Sequence, residues 1–277
     1  MKKYLCLAVS LLFILASCVN DTQNKAGQAI SKERPFSLIS AENPDLQYEN
    51  LRLYPVIASK AMIQENNKLN SLKTLAEGMA LPGFRILEQK QFGRGDQAWY
   101  HGLTVQNKTQ DTILLLSGDI VKGGNQDRVL AHHEVILPMT VRNIEVFCVE
   151  AGRSSYYDPK ASPAEKEAAA FKGYYSVASP KVRNAVQNSK DQETVWNAVA
   201  EVTKANHAES ATKAYTALEQ ESAEKQHRDA YLKHLGHPFE QSDEVVGVVA
   251  VCGDRILSID IFGNPSLFKR EYPGLLH

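Results

Sequence analysis

The chain lacks the features that mark several large classes of protein. Four cysteines among 277 residues are too few for a disulfide scaffold. Glycine (16) and proline (11) stand at ordinary levels, which excludes collagen-like and low-complexity architectures. Neither sign of charge is in excess: 31 Lys and Arg face 32 Asp and Glu, for a formal net charge of −1. Without a basic excess, no nucleic-acid partner is expected. No apolar run reaches the roughly 20 residues that a membrane-spanning helix needs. The glycine patterns of phosphate and dinucleotide loops are missing, as is the Gly-x-Ser-x-Gly elbow of serine hydrolases. What remains is 43% apolar and 23% charged, the composition of an ordinary globular chain of one or two domains.

The first 18 residues read as targeting chemistry rather than fold. Lys2 and Lys3 form a positive start, and Leu5 to Ala16 is an apolar core of about a dozen residues, too short for a mature membrane span. It ends in Leu15-Ala16-Ser17-Cys18, which resembles a bacterial lipobox, with Cys18 as the lipidation site. Acyl chains on Cys18 would anchor the protein, each buried CH₂ contributing about 0.8 kcal/mol. Val19 rather than aspartate follows Cys18, which points to the outer membrane and hence to a cell-envelope location. Loss of Lys2 and Lys3 with the leader leaves 29 basic against 32 acidic residues, a net charge of −3. Residues 19–35 are polar and aperiodic, a tether of roughly 20–25 Å root-mean-square reach.

Residues 36–277 read as a single α+β domain, a mainly antiparallel sheet with a helical segment inserted before a closing C-terminal β-hairpin. A first strand is expected within Leu46 to Ile57, with Pro55 marking an edge or an end. Asn66 to Met79 reads as a helix, because Leu69, Leu72, Leu75, Ala76 and Met79 recur at spacings of three and four. Strands are expected at Phe84–Glu88, Trp99–Gln106, Thr112–Val121, Val129–Leu137 and Ile144–Glu150, the third of them central in its sheet. Ser162-Pro163-Ala164-Glu165 opens a helix that ends by Gly173, and Ser189-Lys190-Asp191-Gln192 opens another. Glu209 to Leu235 is a third helix, polar nearly all round and stopped at Gly236. Val245–Cys252 and Ile256–Phe262 form a hairpin turning at Gly253-Asp254, whose closing strand is expected to join the earlier sheet.

Cys148 and Cys252 are the cysteines left for the folded part. They read as two buried thiols, or as a disulfide in an oxidising envelope. His132 and His133 are adjacent, so on a strand they face opposite ways. His227, His234, His237 and Glu240 straddle a helix stop. No metal site and no cofactor are expected.

The informative stretch is Gly118 to Arg153. It carries Gly118-Asp119 at a strand end, Gly123-Gly124-Asn125-Gln126-Asp127-Arg128, and Cys148-Val149-Glu150-Ala151-Gly152-Arg153. Weaker echoes follow at Gln192 to Trp196, Ser210-Ala211-Thr212 and Asp260-Ile261-Phe262-Gly263. In these motifs the chain resembles the ARG and rhodanese-phosphatase-superfamily-associated protein domain, a bacterial family of unknown function. It departs from the family's pattern at Ser154, where tryptophan is usual, and at Asp119, where glutamate is. The resemblance implies genomic association with ADP-ribosylglycohydrolases and fixes no chemistry.

Strand parity puts Gln126, Arg128, Leu130, His132 and Glu134 on one face, with Val129, Ala131, Val135 and Leu137 on the core side. Glu150 ends an apolar row shared by Ile144, Val146 and Cys148, where a carboxylate is costly unless paired, and Arg128 or Arg153 is the natural partner. Three functions follow. Lys122, Gln126, Arg128 and Arg153 line a polar recess for a small anionic ligand in a lipid-anchored binding or accessory module, which alternatively serves a partner protein. Or Glu150 is the general base of a hydrolase acting on a nucleotide- or ADP-ribose-like substrate. Or the Glu–Arg pair pins strand ends in a purely structural envelope protein.

Overall fold

Three antiparallel sheets carry the fold among the described residues. The computed structural model describes residues 34–88, 102–153, 171–189, 191–220 and 222–277. Among these are thirteen strands and six α-helices, and the α+β class stands. The expected leader, the expected tether up to residue 33 and the helix expected after Ser162 lie outside the described residues. No helix among the described residues is long and apolar enough to cross a membrane.

The first sheet runs β1 (Phe36–Leu38), β3 (Leu51–Ala58), β12 (Val245–Cys252), β13 (Arg255–Ile261), with the short β2 (Gln47–Tyr48) also on β3. Pro55 therefore sits inside the sheet and not at its edge. The β1 ladder ends at Leu38↔Val56. Beyond it the Pro55 carbonyl accepts a hydrogen bond from Ile39 N at 2.9 Å. A residue's N and C=O point to the same side of a strand, so the missing proline donor falls where the short β1 demands little. It is β12 that joins the earlier strand, pairing along residues 51–57 of β3, and β13 is left at the edge.

The six-stranded sheet runs β11 (Phe171–Val177), β7 (Asp119–Gly123), β8 (Arg128–Leu130), β10 (Thr140–Cys148), β5 (Gly102–Asn107), β4 (Phe84–Glu88). A two-stranded sheet pairs β6 (Ile113–Leu115) with β9 (Glu134–Ile136). Two expected strands are thus each cut in half and shared between sheets. Between β6 and β7 the chain turns at Gly118, whose φ of +96° suits glycine, and the Asp119 carboxylate accepts from Leu116 N at 2.7 Å. Between β8 and β9 the side-chain parity flips. Val129, Ala131 and Ile136 are buried, whereas Val135 and Leu137 are exposed, against the expected pattern.

The helix expected over Asn66–Met79 is also broken. The chain forms α1 (Lys60–Glu65), a 3₁₀ turn at Asn67–Ser71, and α2 (Leu75–Met79). Lys73 is drawn out of helix by a backbone bridge to the β6 region, where its N donates to Thr112 O (2.9 Å) and its O accepts from Leu114 N (2.7 Å). Thr74 then restarts the helix with a capping box to Glu77.

Gly173 lies within β11, so it does not stop a helix. Two helices follow: α3 (Pro180–Ser189), not anticipated, and α4 (Gln192–Ala205), whose cap is Asp191 rather than Ser189. The stretch expected as one long helix divides into a buried 3₁₀ turn at Tyr215–Glu219 and α5 (Ala223–Leu235), of which only Leu235 is buried. After the hairpin comes α6 (Pro265–Leu276), begun by Asn264 as cap with proline at its start.

The six-stranded sheet is covered on both faces. Ile120, Val129, Phe147 and Val149 pack against α3, α4 and Tyr215 on one side. Val121, Leu130, Ile144 and Val146 pack against Leu75, Ile113 and Ile136 on the other. A third core sets Leu53 and Val248 of the first sheet against Leu235, Phe239, Phe268 and Tyr272. Cys148 is buried, Cys252 is exposed, and both thiols are free, so neither the bridge nor the pair of buried thiols is observed.

Candidate functional site

The signature residues meet where β7, β8 and β10 end. β7 runs into Gly123-Gly124, with φ of +111° and +60°. A β-carbon on Gly124 would come within 2.6 Å of Glu88 Oε1 and of the Phe171 ring, so only glycine lets the turn pass beneath them. Glu88 Oε1 in turn accepts from Asn125 N at 2.8 Å. Beyond β10 the chain is stitched to residues 212–215. Glu150 bridges Ala214, Gly152 N donates to Thr212 O (2.7 Å), and Tyr215 N donates to Val149 O (2.8 Å). A β-carbon on Gly152 would lie 2.8 Å from Thr212 Cα, which accounts for the glycine before Arg153.

Within this frame the side chains form one network. The Arg153 Nε donates to Glu150 Oε2 at 2.8 Å, and its Nη2 lies 2.6 Å from the same oxygen. Its remaining donors reach Asp127 Oδ1 (3.2 Å) and Gly124 O (2.9 Å). Asp127 N donates to Glu150 Oε2 (3.1 Å), and the Asp127 carboxylate accepts from Gly123 N (2.9 Å) and the Thr216 hydroxyl (2.8 Å). Gln126 Nε2 donates to Glu150 O at 2.7 Å. Arg128 donates to the Cys148 sulfur, approaches Gln126 Oε1 (3.4 Å) and pairs with Glu88 (3.6 Å). Gln192 closes the other side, accepting from Cys148 N (2.8 Å) and donating to Cys148 O (2.9 Å).

Gln126, Arg128, Glu150 and Arg153 are therefore brought together, and Arg153 is the partner of Glu150. Lys122 is directed elsewhere: its Nζ pairs with Glu219 at 3.0 Å and sits 5.2 Å above the Tyr175 ring. Burial pushes the Glu150 carboxyl upward, but Arg153, the Asp127 amide and the Thr212 hydroxyl outweigh it and hold the group below its ordinary value. The Arg153 guanidinium is raised mainly by its hydrogen bond to Glu150. Burial raises the Cys148 thiol against the pull of Arg128. The thiol donates to Gln126 Oε1 at 3.0 Å. A carboxylate held ionised by a forked guanidinium is a poor proton acceptor, and a thiol raised by burial is a poor nucleophile.

Sequence reasoning passed over Asp127, Glu88, Gln192, Thr212 and Thr216. Asp127 lies inside the motif, but it directly follows Gln126 and so falls on the opposite strand parity, which hid its role. Gln192 and Thr212 explain two of the distant echoes, since one holds Cys148 and the other holds Glu150 and Gly152. Glu88 comes from a remote strand and carries no local signal.

A separate cleft of about 200 Å³ opens between the first sheet and α3. Leu51, Leu53, Val248, Ala250 and Leu257 give it an aliphatic floor, and Arg183, Asp260 and Ser258 lie at its polar part. Arg183 forks onto Asp260 at 2.5 and 3.2 Å. The Tyr215 hydroxyl accepts from Ser179 N at 2.9 Å on the same wall. Asp260 opens the last of the distant echoes, so that motif also has a structural role.

The fold and its network define an α+β protein whose signature residues lock three strand ends to a following segment. The family model for the ARG and Rhodanese-Phosphatase-superfamily-associated Protein domain matches residues 40–277, and the chain belongs to that family. No curated protein and no solved structure matches it.

Proposed function

We propose that this is a lipid-anchored protein of the cell envelope, held through Cys18, that acts as a binding or accessory module and not as a hydrolase. One observation carries the reading: the signature's charged side chains are spent on one another. Glu150 has Arg153 and the Asp127 amide, Arg153 has Glu150, Asp127 and Gly124, and Arg128 has Glu88. A general base needs a free lone pair within reach of substrate, and an anion clamp needs donors to spare. The motif serves as a brace. A small ligand has room instead in the cleft, where an aliphatic floor meets a neutralised Arg183–Asp260 pair. That lining suits an aliphatic body with an uncharged hydrogen-bonding head rather than a free anion.

The test is a thermal-shift panel on the full chain with octanol, octanamide, octanoate and ADP-ribose. Octanol or octanamide is expected to raise the melting temperature, and Ala250→Phe, which fills the cleft, is expected to abolish that shift while Arg153→Lys leaves it. Hydrolysis of ADP-ribose lost in Glu150→Gln would overturn the reading. Fractionation tests the anchor: Cys18→Ala is expected to release the protein from membranes, and continued membrane association of that variant would refute lipidation.

A further inference from the structure

Among the described residues, the edge strand β13 is open along one side. It pairs with β12 alone, and no strand among the described residues pairs with its outer edge. The Phe262 amide donates inward to Val246 O at 2.8 Å. Backbone groups alternate along a strand, so those of Ile259 and Ile261 face outward. Edge strands in monomers are blunted by lysine, proline, shortness, bulges or inward-pointing charge. The opposite edge, β1, is three residues long. By contrast β13 has seven residues, Arg-Ile-Leu-Ser-Ile-Asp-Ile, without lysine or proline; its bulge is confined to Leu257, and its one interior charge, Asp260, is neutralised by Arg183.

The side chains on this strand are equally unprotected. Ile256, Leu257, Ile259 and Ile261 are 63%, 45%, 57% and 45% exposed. In register, Ile256, Ile259 and Ile261 lie beside Val251, Val249 and Gly247 of β12, so they share one face of the sheet. Leu257 is the extra residue where the ladder slips between Ala250 and Val251, and it turns to the cleft. A strip of this kind reaches the few hundred Å² at which exposed patches mark interaction sites.

We propose that β13 pairs antiparallel with β13 of a second copy of this chain, joining two first sheets across a two-fold axis. An open row of amides and carbonyls is satisfied by another strand and not by lipid, which offers no hydrogen bonds. The occupant must therefore present an extended backbone beside uncharged aliphatic side chains, and β13 itself has that character. Charge permits the pairing. A two-fold axis within residues 258–261 sets Arg255 opposite uncharged positions of the other copy, since the pairing residue numbers then sum to between 516 and 522, and Asp260 is already neutralised by Arg183. Closure by a two-fold axis removes the open edge from both copies, so growth stops at the dimer.

The experiment is cysteine crosslinking with an added mild oxidant, read on total protein of cells expressing the full chain, so that it does not depend on the anchor. An axis across an antiparallel pair passes through a residue, which brings that residue's two Cα atoms within disulfide reach. Ser258→Cys, Ile259→Cys, Asp260→Cys and Ile261→Cys are each placed in a Cys252→Ser background, which alone serves as the control. One position is expected to give a disulfide-linked band of twice the chain's mass, and adding Ile259→Lys or Ile261→Lys at a position other than the linking one is expected to remove it. Both isoleucines are exposed, so the lysine variants should keep the parent melting temperature. No dimer band at any of the four positions, or a band linking the chain to another protein, would overturn the proposal.

Discussion

Gly118 lies directly beneath Arg183: a β-carbon there would come within 2.7 Å of Arg183 Cγ and 2.8 Å of Cδ. The first family motif is thus tied to the wall of the cleft, through a glycine whose φ is +96°. Gly118 also anchors both neighbours, donating to Leu130 O and accepting from Ala178 N.

Gly118→Ala is expected to lower stability by about 1–3 kcal/mol, because both the backbone region and the space exclude a side chain. Chemical denaturation checks it. Arg183→Ala in the same chain should recover part of the loss, since it removes the atoms that the new methyl meets. Full additivity of the two changes would show that the contact is not the cause.

Glu150 and Arg153 should behave as a single unit. Glu150→Gln leaves a guanidinium, itself about one-third exposed, short of its main carboxylate, and a cost of about 1–3 kcal/mol is expected. Arg153→Met leaves a buried carboxylate and should cost a similar amount. The double variant is expected to lose much less than the sum in a double-mutant cycle. Independent losses would mean that the two side chains do not depend on each other.

Two buried carboxyls make stability fall towards alkaline pH. Burial raises Asp119 to about 7 and Glu271 to about 8, and each has an oxygen without a hydrogen-bond partner. The folded state therefore holds protons that the unfolded chain releases near pH 4. Their stabilising contribution is complete below that pH and is lost as pH rises through the folded values. Unfolding free energy should drop by a few kcal/mol between about pH 5 and pH 8, and Glu271→Gln should flatten that slope. A profile equally steep in the variant would exclude Glu271 as a source.

The two thiols of the folded part should differ in reactivity. Cys252 is exposed at the hairpin end, whereas Cys148 is buried and raised by its burial. A thiol reagent is expected to modify Cys252 quickly and Cys148 only on unfolding. Peptide mapping distinguishes them, and rapid labelling of Cys148 in the native protein would contradict its placement.

Much of the local pattern could be read before any coordinates. The alternation at Leu51–Val56 and the run Val245–Cys252 are strands because their side chains pack on both faces of a sheet. Gly253 turns the hairpin because a positive φ suits it. Glu150 was readable as a carboxylate in need of a cation, since it ends an apolar row. Four of the five nominated site residues do meet, and Lys122 does not, because its neighbours Glu219 and Tyr175 lie far from it along the chain.

What the sequence by itself determined is the inventory: which segments are apolar with period two, which residues cap or turn, and which charges need partners. These depend on neighbours a few residues apart. Tertiary structure decided the rest. It cut the run Thr112–Val121 between two sheets, drew Lys73 out of a helix, gave Glu150 to Arg153 and Arg128 to Glu88, and left β13 at an open edge. In each case the deciding hydrogen bond or ion pair reaches across the fold to a partner whose arrival no local period announces.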